Sequence, residues 1–445
     1  MALTTGQKAG WGLADMGVVV FVIVKQLLIF NYLNAFLGVP AVMAGFVTTA
    51  VLIFDMITDP LIGYYSDRTQ SRYGRRAPWM VGGAIVMAVG MVALFAVPQG
   101  FALSGKLLWV VAFFVVATIG FTMVAIPFSA QAGEMTTDRQ ERSAMTGWRM
   151  GFASIGILIG GALVPGLADS LGYPMAALAV SPIMIGAIWF SVFATRNAPR
   201  GQPAARVSFR ESYRLVLGNR PFVVLVLIYG TMTLAVALIT AGLPYGAAYL
   251  IQDDGATALS GAARALTVLS LMFAAFVVGS ILSQAVWVLL SNKLGKVGAL
   301  SLGLGLYAIL LYALYSNLPS VNVTAIAGLF VIAGFTNGAY QQIPWAIYPD
   351  LMDVTRREEG VAIEGAYTAV WLFGQKLANA VSPALLGVIL ASAGWQETTE
   401  GIVDQSPQAL ATLQNTITLI PAAILLVALV CLQLVYRPMQ RRALA

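Results

Sequence analysis

The chain has 445 residues, of which 59% are hydrophobic and only 10% are charged. A soluble domain carries about 25% charged residues, so this chain has too little charge to cover a water-exposed surface. The net charge of +6 does not indicate nucleic acid, because the basic residues lie in short loops between apolar runs, as orientation signals do. The sequence has no histidine and one cysteine, Cys431. It therefore lacks the commonest catalytic base and any internal disulfide, and we predict that it is not an enzyme.

Apolar runs long enough to cross a bilayer, about 20 residues each, recur from end to end. The first run is too long for the core of a cleavable signal peptide, so it is predicted to be the first span. A single helix satisfies its own backbone in lipid, whereas a β-barrel needs alternating segments of about ten residues. The sequence therefore predicts an all-α polytopic membrane protein with twelve transmembrane helices, at about 10–37, 41–65, 78–97, 107–133, 144–167, 173–195, 221–250, 266–290, 298–317, 322–348, 363–393 and 413–436.

The longest polar connection, 196–220, divides the spans six and six. The segments that follow span two and span eight, 66–76 and 291–296, are both short, basic and glycine-bearing, which indicates a weak internal repeat. We therefore predict two pseudo-symmetric six-helix halves, 1–195 and 221–445, joined by a cytoplasmic linker. Related halves of this kind suit a carrier whose binding site lies near the bilayer midplane.

The placement of the basic residues predicts the orientation. With the N-terminus in the cytoplasm, nearly every lysine and arginine falls on the cytoplasmic side, and the external loops hold only Lys106 and Arg264. This bias follows the positive-inside rule. It predicts a multi-pass protein of a bacterial-type inner membrane with both termini in the cytoplasm.

Several polar residues fall near the middle of predicted spans, where a lone charge costs about 2.5–3.5 kcal/mol. They are Lys25 in span one, Asp55 and Asp59 in span two, Thr122 in span four and Lys376 in span eleven. The two acids are four residues apart, which places them on one helix face about one turn apart. They could coordinate Na⁺ or share a proton. Alternatively, they neutralise the two lysines as structural ion pairs.

Four further positions are candidate functional residues. Asp15 lies near the predicted membrane edge, where it has either a helix-terminal role or a role in binding the solute or ion. Arg149, one or two turns into span five, could reach the surface or point into a cavity. Gln341 and Trp345 flank Pro344 in span ten, where they could line a broken helix. Tryptophans also belong to interfacial belts.

Four sequence blocks resemble the glycoside–pentoside–hexuronide:cation symporter family of the major facilitator superfamily, over essentially the whole chain. The resemblance implies a twelve-helix fold with a rocking cycle. It also implies that Asp55 and Asp59 form a coupling-cation site, with Thr122 as a further oxygen ligand and Lys376 as a neighbour. The blocks are 55–60 with 67–69 and 74–79, then 126–128 with 141–143 and 148–150, then 344–345 through 350 and 353 to 357–360, and finally 375–377.

The segment 67–76 resembles the cytoplasmic gating motif of this superfamily, in which an acid and arginines clasp the two halves. The resemblance therefore implies that Asp67, Arg68, Arg75 and Arg76 form a cytoplasmic gate.

The chain departs from the melibiose permease branch of the family in ways that concern the substrate. Ala125 and Ser129 stand where that branch has an aspartate and a tryptophan, and its span-one aspartate aligns approximately with Gly17. Two carboxylates that grip a galactoside are therefore predicted to be missing.

An added lysine changes the expected charge of the cavity. Lys25, Arg149 and Lys376 against Asp55 and Asp59 give an expected net charge of +1. That balance favours an acidic or zwitterionic substrate.

These features predict a symporter coupled to Na⁺ or H⁺ that imports a small organic solute, a glycoside or a hexuronide-like anion, by alternating access. The predicted substrate ligands are Lys25, Arg149, Gln341 and Trp345. The alternatives are an uncoupled facilitator or exporter of the same fold, or a carrier of lysophospholipid-like solutes. A channel is disfavoured, because channels use rings of repeated polar groups. We expect no cofactor beyond the coupling ion, no metal beyond a possible Na⁺ at Asp55 and Asp59, and a monomer whose partners are the solute and the bilayer.

Overall fold

The structure, a computed structural model, describes residues 3–136, 138–198, 209–359 and 364–444. Within this part, twelve helices are long and apolar enough to cross a membrane, which confirms the predicted all-α fold with twelve spans. The helices are α1 Thr5–Leu27, α2 Ala41–Arg68, α3 Ala77–Phe95, α4 Leu103–Met135, α5 139–171, α6 Tyr173–Ala194, α7 Arg220–Tyr249, α8 Val268–Leu294, α9 Lys296–Asn317, α10 Val323–Glu359, α11 Glu364–Ser392 and α12 407–444.

The helices differ from the predicted spans mainly at their ends. The first span was expected to reach residue 37; α1 itself ends at Leu27, and the helical path continues through the short α-helix Ile29–Asn31 and the π-helical segment Tyr32–Phe36. Gly38, with φ of +67°, and Pro40 then end the helical path. Conversely, α10 continues eleven residues past its predicted end, because helical backbone can extend beyond the apolar core.

Two shorter helices connect the spans. The first, Phe209–Gly218, lies in the stretch predicted as the linker 196–220. The second, Ser260–Leu266, precedes α8. Residues 199–208 of the predicted linker lie outside the described part of the chain.

The chain divides into two compact units, with two short exchanges relative to the predicted halves. The first unit contains Met1–Val39, Val47–Ala204 and Thr398–Gly401, and the second contains the remainder. Thr398 and Gly401 belong to the first unit because their backbone N–H groups donate to the carbonyls of Asn34 and Ala35, at 3.1 and 2.9 Å.

In the first unit, α1 packs closely against both α5 and α6. Hypothetical Cβ atoms at Gly12 and Gly17 would lie 2.7 Å from the Arg149 nitrogen and 2.6 Å from the Met184 carbonyl oxygen. From the α5 side, a Cβ at Gly156 would lie 2.6 Å from the carbonyl oxygen of Met16 in α1. These contacts fix the depth and rotation of α1, and therefore the positions of its charged side chains.

In the second unit, α8 and α10 cross with their backbones in contact. A Cβ at Gly279 would clash with the carbonyl of Val331, and a Cβ at Gly334 would clash with the carbonyl of Phe276. Because backbone atoms cannot move aside as a flexible side chain can, each position accepts only glycine without a shift of the helices.

Gly334→Ala should therefore destabilise the protein. Overpacking of this kind costs about 1–3 kcal/mol, so we expect a lower midpoint of thermal unfolding in detergent. The matched control is Gly328→Ala in the same helix, where nothing lies within 4 Å of the new Cβ and alanine is the better helix former. Equal midpoints for the two variants would show that the helices do not cross this closely.

Candidate functional site

Lys25, Asp55 and Thr122 meet inside the first unit, each contributed by a different helix. The Lys25 ammonium of α1 lies 3.6 Å from Oδ2 of Asp55 in α2. The Thr122 hydroxyl of α4 donates to Oδ1 of the same carboxylate at 2.8 Å. The three residues are 6%, 2% and 0% exposed. Both carboxylate oxygens of Asp55 therefore have partners supplied by neighbouring helices.

Two aromatic rings also lie beside the Lys25 ammonium. Its nitrogen lies 4.4 Å from the centroid of Phe121 and 5.5 Å from that of Phe21. Ring faces attract a cation, and more strongly when it is desolvated. The ammonium is thus held between a carboxylate and two rings, which compensates part of the cost of its burial.

Asp59 follows Asp55 by one turn of α2, as the spacing predicts. Its residue is half-buried, and its Oδ1 atom is inaccessible to solvent. Thr58, which lies between them in the chain, donates a hydrogen bond from its hydroxyl to the backbone carbonyl oxygen of Asp55 at 3.0 Å. The Asp55–Asp59 pair therefore stays on one face of a continuous helix.

A second ion pair joins α1 to α5. Nε of Arg149 donates to Oδ2 of Asp15 at 2.9 Å, and its Nη2 donates to Oδ1 at 3.3 Å. Asp15 is 3% exposed, whereas 34% of the Arg149 side chain is accessible. Arg149 therefore does not simply extend to the surface, and Asp15 does more than serve a helix end.

The Arg149 guanidinium also lies beside a buried aromatic pair. Its carbon is 5.2 Å from the centroid of Phe128, which stacks on Trp11 at 4.7 Å. The Trp11 indole N–H donates to the Phe128 carbonyl at 3.2 Å. Both rings are at most 2% exposed, so they position the guanidinium and present no open face to a sugar. Trp11 had no sequence signal beyond its apolar surroundings.

The Asp15–Arg149 pair changes the charge balance that was expected from the sequence. The expected net charge of +1 left out Asp15; with it, the named charged residues are three acids and three bases, a net charge of zero. Gly17, the approximate counterpart of the span-one aspartate of the melibiose permease branch, packs against the backbone of α6. The acid of α1 that faces Arg149 is Asp15.

The two ion pairs occupy different depths. Asp15 and Lys25 are ten residues apart on α1, which corresponds to about 15 Å along a helix axis. The first unit therefore holds two separate polar clusters, which we call the cation cluster (Lys25, Asp55, Asp59 and Thr122) and the arginine cluster (Asp15 and Arg149).

The predicted gate arginines lie near the ends of α2 and α4. Glu134, which the sequence analysis missed, forms an ion pair with Arg75 at 2.8 Å and accepts hydrogen bonds from Arg76 at 2.8 and 3.0 Å. Arg76 also donates to the Ser66 hydroxyl at 2.8 Å. Arg75, Arg76 and Glu134 line a cavity of about 410 Å³ in the first unit. Their pairing partner is thus an acid of the same unit.

The other two predicted gate residues are Arg68 and Asp67. The Arg68 guanidinium stacks on Tyr64, 3.5 Å from the ring centroid, and the Arg68 side chain is exposed. The side chain of Asp67 lies outside the described part of the chain. The clasp between halves stays a prediction.

The candidates in the second unit lie in and near an aromatic cluster. Trp345 donates its indole N–H to the Tyr229 hydroxyl at 3.1 Å, and Tyr229 stacks on Trp371 with centroids 4.2 Å apart. Gln341 accepts a hydrogen bond from Ser280 at 3.2 Å. Trp345 is 37% exposed, so it combines a fixed orientation with an accessible face.

The break in the helix that the sequence suggested at Pro344 is not present. Helix α10 runs through Pro344 and Pro349 without interruption, because neighbouring helices can satisfy the backbone groups that a proline frees in a membrane helix. Lys376 is half-buried near the middle of α11. It belongs to the second unit, and its role beside Asp55 and Asp59 stays a prediction.

One titratable group near the start of α5 ties three segments together. Glu141 accepts from the Thr136 hydroxyl at 2.6 Å and from the Leu3 backbone N–H at 2.7 Å, and it lies 3.4 Å from the Lys8 ammonium. The Thr136 hydrogen bond, followed by that of Leu3, lowers the pKa of the Glu141 carboxyl. The carboxylate thus favours its charged form, which holds the N-terminus beside α5.

Twelve spanning helices with ion pairs buried between them define a polytopic α-helical membrane protein of the carrier class. The family described as MFS/sugar transport protein matches residues 10–437. The chain belongs to this family of transporters, which confirms the resemblance drawn from its motifs.

Relatives and solved structures agree with this assignment. The inner membrane symporter YicJ of Escherichia coli is 25% identical over 94% of this chain and 89% of that protein. A putative sulfoquinovose importer of Escherichia coli is 26% identical over 99% and 92%. The crystal structure of the POT family transporter PepTSo covers 99% of both chains with a TM-score of 0.67 at 11% identity, a likeness of fold alone.

Asp15→Asn should destabilise the protein, because it leaves the Arg149 guanidinium without its carboxylate. Removing one partner of a fully buried pair costs about 3–5 kcal/mol; with Arg149 partly solvated, we expect about 1–3 kcal/mol. The measurement is the midpoint of thermal unfolding for Asp15→Asn, Arg149→Gln and the double variant. The control is Asp169→Asn, an exposed acid of α5. Additive effects of the two single changes would show that the side chains do not interact.

Proposed function

We propose that the protein is a cation-coupled symporter that imports a small glycoside by alternating access. The observation that carries this proposal is the cation cluster, in which two carboxylates one helical turn apart lie inside the transmembrane part of the first unit. Ionisable groups at such depth are costly and mark ion and substrate pathways. Membership of a sugar-transport family, and relatives that include symporters, support the same proposal.

The remaining properties follow from this assignment. We propose a bacterial-type inner membrane location with both termini in the cytoplasm, in line with the basic residues of the connections. The protein works as a monomer, takes no cofactor beyond its coupling ion, binds no nucleic acid and catalyses no covalent reaction. The arginines that pair with Glu134 act in the cytoplasmic gate.

Arg149 is the substrate ligand that the geometry favours. Asp15 fixes one edge of its guanidinium through two hydrogen bonds, and a third of the side chain is accessible. An oriented guanidinium can donate to sugar hydroxyls or bind an anionic group through paired N–H bonds. The relative described as a putative sulfoquinovose importer makes a sugar bearing an acidic group a candidate substrate. Gln341 and Trp345 are the proposed ligands of the second unit.

The first test concerns coupling. In proteoliposomes, Asp55→Asn and Asp59→Asn should each abolish accumulation driven by an imposed Na⁺ or proton gradient while some counterflow exchange remains, because exchange does not require net ion movement. The probes are sulfoquinovose, methyl glucuronide, methyl galactoside and lysophosphatidylcholine, each with the two gradients applied separately. The control is Asp169→Asn, which removes a carboxylate outside the cluster.

Two outcomes would count against the symporter. Full gradient-driven accumulation in both variants would show that the acids are structural. Uptake by the wild type that never exceeds equilibration under either gradient would indicate the uncoupled facilitator. Accumulation of lysophosphatidylcholine alone would assign the chain to lipid-like solutes.

The second test concerns the substrate. Arg149→Lys keeps the charge but loses the paired donors, so we expect uptake of the acidic sugar to fall at least about tenfold, equivalent to the loss of ~1.4 kcal/mol. Arg149→Gln should lower the uptake of acidic sugars more than the uptake of neutral sugars. Initial rates over a range of concentrations separate KM from the maximal rate. The same loss for methyl galactoside as for methyl glucuronide would remove the case for an anion contact.

A further inference from the structure

We propose that Lys25 is a resident cation of the cation cluster. Its ammonium takes the place at Asp55 that a free Na⁺ would need, so the wild-type protein has no Na⁺ site there. The further statement that the coupling ion is then the proton rests on the proposed symport.

The contacts of Asp55 support this reading. One carboxylate oxygen accepts the Thr122 hydroxyl at 2.8 Å, and the other faces the Lys25 ammonium at 3.6 Å. A Na⁺ bound to the same carboxylate would lie only a few ångströms from a second positive charge. Two like charges that close repel strongly where little water screens them. The site as built therefore favours one cation, and the chain supplies it.

The ammonium has little freedom to leave. Lys25 is 6% exposed, and its nitrogen lies against the rings of Phe121 and Phe21. The backbone just before it is fixed as well, because a Cβ at Gly160 of α5 would lie 2.9 Å from both the Val20 carbonyl oxygen and Cβ of Ile23. A buried side chain on a closely packed part of α1 is suited to act as a resident counter-ion.

The charges of the two clusters bear on the identity of the coupling ion. The charged side chains of the two clusters are Asp15, Lys25, Asp55, Asp59 and Arg149, which sum to a net charge of −1. Two of the acids lie in ion pairs with the two bases. With the Lys25 ammonium resident at Asp55, the coupling ion under the proposed symport is a proton carried by a carboxylate of the cation cluster.

The test measures Na⁺ binding without any substrate. Purified full-length protein in detergent is heated in NaCl and in KCl at the same ionic strength, and the midpoints of unfolding are compared. The wild type should show equal midpoints. Lys25→Met leaves the oxygens of Asp55, Asp59 and Thr122 without the ammonium, so Na⁺ should raise its midpoint by about 2–4 °C or more over K⁺.

Further variants make the result specific. Lys25→Arg keeps the charge and should show no Na⁺ response, and neither should the double variant Lys25→Met, Asp55→Asn. Lys106→Met removes a lysine near the start of α4, outside the cation cluster, and is the matched control. If Lys25→Met folds poorly, the yield of monodisperse protein purified in Na⁺ is compared with that in K⁺, since Na⁺ should then substitute for the missing charge.

A Na⁺-specific shift in the wild type overturns the proposal. So does a Lys25→Met protein that responds to Na⁺ no more than to K⁺ in either midpoint or yield. These outcomes are independent of the transport assay, because an uncoupled carrier could still gain a Na⁺ site when Lys25 is removed. Conversely, Na⁺-driven uptake by the wild type would leave the symporter in place and refute the resident cation.

Discussion

Compensation of charge inside an apolar bundle is the constraint on which the functional core of this protein depends. Helix α1 carries one acid and one base at membrane depth, and each is matched by a partner from a different helix: Asp15 by Arg149 of α5, and Lys25 by Asp55 of α2. A lone charge at the centre of a bilayer costs about 2.5–3.5 kcal/mol. The pairs therefore tie three helices together and make α1 their common element.

Close backbone packing gives these pairs their geometry. Gly12 and Gly17 bring α1 against α5 and α6, and Gly156 does the same from the α5 side. Small residues serve in this way in membranes because helix association there depends on van der Waals packing and hydrogen bonds, without a hydrophobic driving force. A helix held this rigidly can present a lysine and an aspartate at fixed depths about 15 Å apart, which is what two distinct sites on one unit require.

The two clusters suit different tasks because their surroundings differ. The cation cluster is largely closed: Lys25, Asp55 and Thr122 are almost inaccessible, Asp59 is half-buried, and the polar atoms of the first three contact one another. The arginine cluster is open on one side, since Asp15 is buried while Arg149 is partly accessible. A closed cluster fits an ion or a proton, and an oriented guanidinium with an accessible edge fits a solute. The Glu134–arginine contacts form a third centre, near the ends of α2 and α4.

The sequence by itself determined the number and type of the spans, because hydropathy and run length follow from local composition. It also placed Asp55 and Asp59 on one face, because their spacing equals the helical period. Only the tertiary structure decided that Lys25 faces Asp55, that Glu134 receives Arg75 and Arg76, and that α10 continues through Pro344. The Asp15–Arg149 contact joins residues 134 positions apart. Such pairings depend on which helices are neighbours and on how each helix is rotated about its axis. Neither property follows from the periodicity of a single helix.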